Sequence, residues 1–126
     1  MSNFIPFDIA KLIKDKSFNL RCLAYYDNDG GLYYFENLNF ISNPQLKEWQ
    51  IPAPTYTDVV LWFRQTHKIK IDVCHASSNG SETFTLWKWN YDNVIGKWQR
   101  IGHIGSYYDY FETLNKAILE AIKLLE

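Results

Sequence analysis

The period of apolar and polar positions changes several times along the chain, and each change marks an element. Over residues 8–15, Ile9, Leu12 and Ile13 recur at helical spacing with Lys11, Lys14 and Lys16 on the other side. That pattern predicts a short amphipathic helix ending near Ser17. Two aromatic and branched runs, 20–26 and 32–36, flank Asp27-Asn28-Asp29-Gly30-Gly31. A turn of that composition tolerates positive φ, so the stretch predicts a β-hairpin. Residues 37–50 have no period, and their Asn, Ser and Pro content predicts a long surface connection, pinned to the body by Phe40, Ile41, Leu46 and Trp49.

The proline-bracketed entry Ile51-Pro52-Ala53-Pro54 precedes a second helical pattern, with Thr55 as cap and Asp58 placed three residues on to complete a capping box. Tyr56, Val59, Val60, Phe63 and His67 fall on one stripe, which Leu61 and Trp62 widen. Without a glycine stop the period then drops to two: Ile69, Ile71, Val73 and His75 alternate with Lys70, Asp72 and Cys74, as in a strand with one buried face. After a turn at 77–81, residues 82–90 and 96–103 predict two further strands joined at 91–95. Their parity puts Phe84, Leu86 and Ile101 on one face and Trp87, Trp89, Tyr91, Trp98 and Arg100 on the other, an assignment that a one-residue bulge would break.

From residue 110 to the C-terminus a last helix is predicted, with Asp109 as N-cap and Glu112 at the third helical position. Its apolar face is Tyr110, Leu114, Ala117, Ile118, Ala121 and Leu125, broadened by Ile122 and Leu124. The order α-ββ-α-βββ-α, with short antiparallel connections, predicts a single α+β domain over residues 1–126, a hairpin and a three-stranded meander packed with helices.

Composition narrows the function classes. The 126 residues suffice for one domain with a real core, and 47% apolar against 21% charged residues lies outside the disordered regime. A net charge of -1 excludes a global field that would gather nucleic acid or an anionic membrane. The N-terminal residues lack a signal-peptide pattern and no run of about eighteen apolar residues occurs, so a cytoplasmic location is expected. In that compartment Cys22 and Cys74 are expected to be reduced, buried small hydrophobes.

Several of these segments together resemble a known family. Lys14-Asp15-Lys16-Ser17-Phe18, Cys22, Ala24-Tyr25-Tyr26, Ala53-Pro54-Thr55-Tyr56 with Trp62 and His67, and Tyr108-Asp109-Tyr110 opening the terminal helix look like a family of small uncharacterised proteins common in gut Bacteroidetes and their phages and prophages. The resemblance spans nearly the whole chain and rests on structural motifs. It implies no activity, cofactor or catalytic residue. Where such sequences usually carry glycine at the end of the first helix this chain has Ser17, which puts a left-handed cap there in question. At the last cap Asp109 replaces a frequent serine and keeps the capping chemistry.

No catalytic set is marked by the residues. Three histidines and two cysteines are scattered, CxxC and HxxxH are absent, and neighbours on a strand such as Cys74 and His75 point to opposite faces. A pairing of Cys22 or Cys74 with His67 or His103 is permitted without being suggested, so neither enzyme activity nor any metal or cofactor is expected. Aromatic residues, 17% of the chain, are the unusual feature. The candidate binding surface is the second face of the meander: Trp87, Lys88, Trp89, Tyr91, Trp98 and Arg100. Between Arg64 and His103, six basic residues (Arg64, Lys68, Lys70, Lys88, Lys97, Arg100) stand against three acidic ones (Asp72, Glu82, Asp92). Trp and Tyr anchors fit a non-catalytic interaction protein that binds a protein partner or associates with itself. The alternative is a nucleic-acid-binding module that stacks single-stranded bases on the same rings.

Overall fold

Phe7–Asp15 forms helix α1 of the computed structural model, which describes residues 3–18, 22–35, 47–75, 82–90, 97–107 and 110–125. Strands β1 (Ala24–Tyr26), β2 (Leu32–Tyr34) and β3 (Ile51–Pro52) follow, then α2 (Tyr56–Thr66), β4 (Ile69–His75), β5 (Glu82–Asn90), β6 (Lys97–Tyr107) and α3 (Tyr110–Lys123). Three helices and two antiparallel three-stranded sheets make this an α+β protein. The order matches the pattern-based expectation with one addition, β3, which the prolines at 52 and 54 had masked as a helix entry. The chain divides into two compact units, Met1–Trp62 and Phe63–Glu126.

In the first unit the sheet order is β2-β1-β3. Pairing of Tyr25 with Tyr33 and of Tyr26 with Ile51 sets the register. Proline can occupy β3 because that strand lies at the sheet edge, where a missing N–H breaks no interior ladder. Ala24 and Tyr26 turn inward with Ile5, Ile9, Ala10, Ile13 and Val59. The Tyr26 hydroxyl is buried but satisfied, donating to the Ile5 carbonyl at 2.6 Å. The N-terminal chain is held by a bridge between Phe4 and Thr55 and by the Ile5 N–H, which donates to the Pro54 carbonyl at 3.0 Å.

Helix ends follow local chemistry. At the start of α2 the Asp58 N–H donates to Thr55 Oγ1 at 3.2 Å and the Thr55 N–H donates to Asp58 Oδ2 at 3.3 Å, the reciprocal box foreseen from spacing. α1 ends on Ser17 with φ 64°, in the left-handed region. The Ser17 N–H donates to the Lys14 carbonyl and the Phe18 N–H to the Ile13 carbonyl, while Phe18 and Ile13 are both buried, which is the Schellman arrangement. The left-handed cap questioned at Ser17 is therefore present, built on serine in place of glycine. α2 also stops without glycine: Lys68, at φ 57°, turns the chain into β4.

In the second unit the order is β4-β5-β6, and α3 packs against all three strands. Ile69, Ile71, Phe84 and Leu86 are buried on the sheet, and Leu114, Ala117, Ile118, Ala121 and Ile122 on the helix. Burying each Leu or Ile side chain is worth about 1.5–3 kcal/mol, so this interface is the main stabilising feature of the unit. The covered stripe is narrower than the apolar pattern implied: Tyr110 on α3 and Leu124 just past its end stay exposed, as do Leu12 on α1 and Leu61 on α2.

β6 carries a bulge. The pairing runs Leu86 with Gly102 and Trp87 with Arg100, so Ile101 is the extra residue, and a second irregularity lies between Glu82 and Thr83. Beyond the first bulge the parity inverts, and Gly102 and Ile104, not Ile101, stand opposite Leu86 and Phe84.

Candidate functional site

Two registers assemble the tryptophan face. Across β4 and β5, Lys70 pairs with Trp87; across β5 and β6, Trp87 pairs with Arg100 and Trp89 with Trp98. All of these lie on the short side of the bulge, where strict alternation keeps the two indoles of β5 away from the face packed on α3. Trp89 and Trp98 meet edge to face, centroids 5.3 Å apart at 76°. The Trp89 N–H also donates to the Lys68 carbonyl at 3.1 Å, so the ladder is fastened at this corner.

Cations lie against the rings. Lys70 Nζ is 5.1 Å from the Trp87 centroid and 5.4 Å from that of Trp98, and the Arg64 guanidinium, from the last turn of α2, is 5.6 Å from Trp98. Lys70 also pairs with Asp72 at 3.7 Å. Such contacts contribute about 0.5–1 kcal/mol each at exposed sites and more when water is excluded. All three tryptophans are half-buried. The Trp87 indole N–H is buried and finds no hydrogen-bond acceptor among the described residues.

Of the residues singled out from sequence, Trp87, Trp89 and Trp98 are brought together, and Arg100 is placed by its backbone opposite Trp87. Lys88 pairs with Ile69 and Gln99, one residue out of phase with the tryptophans, and is exposed. Tyr91 lies outside the described residues, as do Phe40, Ile41, Leu46 and Asp109. Sequence reasoning counted Arg64 and Lys70 only as part of a charge surplus. Alternation along β4 does put Lys70 on the non-core face, but its approach to two tryptophans depends on a register set across the 76–81 connection.

The remaining chemistry points elsewhere. Cys22 is buried and its thiol is pushed up to about 12, first by burial and then by the nearby charge of Asp58, so it stays protonated and unreactive. Burial lowers the pKa of His67, whose ring lies 6.1 Å from that of Phe63. Asp27 is held below the usual carboxylate range, chiefly by the Gly31 N–H, and accepts bonds of 2.9 Å from Asp29 and 2.8 Å from Gly31. That is the pattern of a plain turn. Among the described residues no cluster of three or more His, Cys, Asp or Glu side chains is placed to hold a metal, and no helix is long and apolar enough to cross a membrane.

No family model matches the chain, and no curated protein or solved structure is detectably similar to it.

Proposed function

We propose that the protein is a small cytoplasmic, non-catalytic interaction module, carried by a phage or mobile element, whose tryptophan face binds a protein partner or a second copy of the chain. The assignment to mobile elements rests on the family resemblance. The binding role rests on one observation: three tryptophans gathered on the sheet face that α3 does not cover, with Lys70 and Arg64 against their rings. Tryptophan and arginine are among the residues enriched at the anchoring positions of protein interfaces. A nucleic-acid platform is disfavoured by the same contacts, because an incoming base would have to compete with Lys70 and Arg64 for the rings it stacks on.

Light scattering across a concentration series separates the two protein readings. Self-association gives a dimer that Trp98→Glu dissolves. A partner reading gives a monomer in which a photo-cross-linker at Thr85 captures a protein in cells, and Trp98→Ala removes that product. Tryptophan quenching by single-stranded oligonucleotides at low salt, relieved at high salt, would replace both with the nucleic-acid alternative. A monomer with no Trp98-dependent product would refute the role of this face.

A further inference from the structure

The outer face of the β2-β1-β3 sheet carries a second aromatic assembly. Tyr25 stands at its centre, on the side of β1 opposite to buried Ala24 and Tyr26. Tyr33 pairs with it across β2 and stacks on it, centroids 5.6 Å apart at 23°. Phe35 lies 5.1 Å away, and Trp49, from the chain leading into β3, meets Tyr25 edge-on at 6.0 Å. The Phe35 N–H donates to the Leu23 carbonyl, which continues the register and puts Leu23 on the same face. Although these rings touch one another, Leu23, Tyr33 and Trp49 remain 38%, 49% and 43% exposed.

One end of this strip is acidic. Alternation along β1 places Asp27 in line with Leu23 and Tyr25, and the Tyr33 hydroxyl is hydrogen-bonded to its carboxylate. Gly31 makes that approach possible: a Cβ there would stand 3.1 Å from Asp27 Oδ2 and 3.2 Å from the Tyr33 ring. Asp29 adds a second, exposed carboxylate in the same turn. On the β3 side, Lys14 Nζ donates to the Glu48 and Gln50 carbonyls, at 3.2 Å for the latter, and so fastens the Trp49 turn to α1. The rings are therefore ordered before any ligand arrives, which lowers the entropy cost of binding.

We propose that this face docks an extended, proline-rich peptide segment carrying a basic residue beside its prolines. Tyr33 and Trp49 flank Tyr25 on the β2 and β3 sides, with centroids 5.6 and 6.0 Å from its own, and the proline rings of a polyproline II helix pack on aromatic faces set side by side in this way. The carboxylate end supplies the complement to an arginine or lysine. Size selects a peptide over a second copy of the chain. Strands of two or three residues in a three-stranded sheet offer a flat area on the order of 150 Å², against the ~800 Å² per partner of a stable interface.

The test is amide chemical-shift mapping on the full-length protein, titrated with a short blocked proline-rich peptide ending in arginine and with the same peptide ending in glutamate. Shifts confined to residues 22–35 and 47–52 are expected, with the arginine peptide binding about tenfold more tightly. Tyr33→Ala abolishes the response, and Asp27→Asn, which keeps an oxygen to accept the turn's N–H groups, removes the discrimination between peptides. Tyr34→Ala, on the other side of β2, leaves binding unchanged. The proposal is overturned if neither peptide shifts these amides, if both bind equally, if Tyr34→Ala weakens binding as much as Tyr33→Ala, or if the same amides broaden with protein concentration alone.

Discussion

Replacing Ser17 with glycine should stabilise the protein, although no contact is added. With φ at 64°, the serine Cβ sits against the following carbonyl, a conformation that costs an L-residue roughly 1–2 kcal/mol relative to the right-handed helix. Glycine escapes that cost but loses about 0.5–1 kcal/mol more backbone entropy on folding. The net gain is about 0.5–1 kcal/mol, because the two hydrogen bonds of the cap come from backbone N–H groups that glycine retains. For a cooperative chain of 126 residues the unfolding entropy of ~2.1 cal/mol/K per residue converts this to a rise of about 2–4 °C in Tm. Thermal and urea unfolding measure it, with an unchanged m-value as the sign that only stability has moved. Ser17→Ala is the control, since it keeps the Cβ and should stay within about 0.5 kcal/mol of the parent. A gain from Ser17→Ala equal to that from Ser17→Gly, or a loss from Ser17→Gly, would refute the argument from left-handed strain.

Thr55→Ala and Asp58→Ala should each cost about 1 kcal/mol, and the double variant less than the sum, because one reciprocal box is lost in either case; urea unfolding of the cycle reads this directly. Trp62→Ala, at a position with no exposure, should cost about 3–5 kcal/mol and lower the denaturation midpoint accordingly. Lys70→Met keeps the aliphatic stem but removes the charge over Trp87 and Trp98, for a loss of about 1 kcal/mol and a change in tryptophan emission. Burial holds the pKa of His67 below its ordinary 6.5, so the unfolded chain takes up the proton more readily. Stability is then complete above that value and declines as pH falls through it, and His67→Gln should flatten the decline in melts recorded between pH 7 and 5.

The helices were the most legible part of the chain. Their period, the Thr55–Asp58 box and the alternation of β4 are local properties, set within a few residues by backbone sterics and capping chemistry. What local pattern missed has physical reasons of the same clarity. β3 is two residues long and proline-containing, so it has no period to read and exists only because β1 offers a partner. Ser17 takes a glycine conformation because the two cap hydrogen bonds and the burial of both Ile13 and Phe18 over-determine the turn. Leu12, Leu61 and Tyr110 stay exposed because they lie at the margins of their helices' apolar arcs, outside the buried stripe, and Leu124 falls just past the end of α3.

The two aromatic faces divide along the same line. Sequence alone determined that Trp87 and Trp89 share a side of β5, since alternation is a property of one strand. It also placed Trp98 with them, because the short connection and the pairing on that side of the bulge preserve parity. Tertiary structure decided the rest: the bulge at Ile101, the placing of Lys70 and Arg64 against the rings, and the gathering of Tyr25, Tyr33, Phe35 and Trp49 from segments up to 24 residues apart (49 − 25). Contacts of that kind depend on register between strands and on which residues close a loop. Those are fixed by the packing of the whole unit, and no single segment carries them.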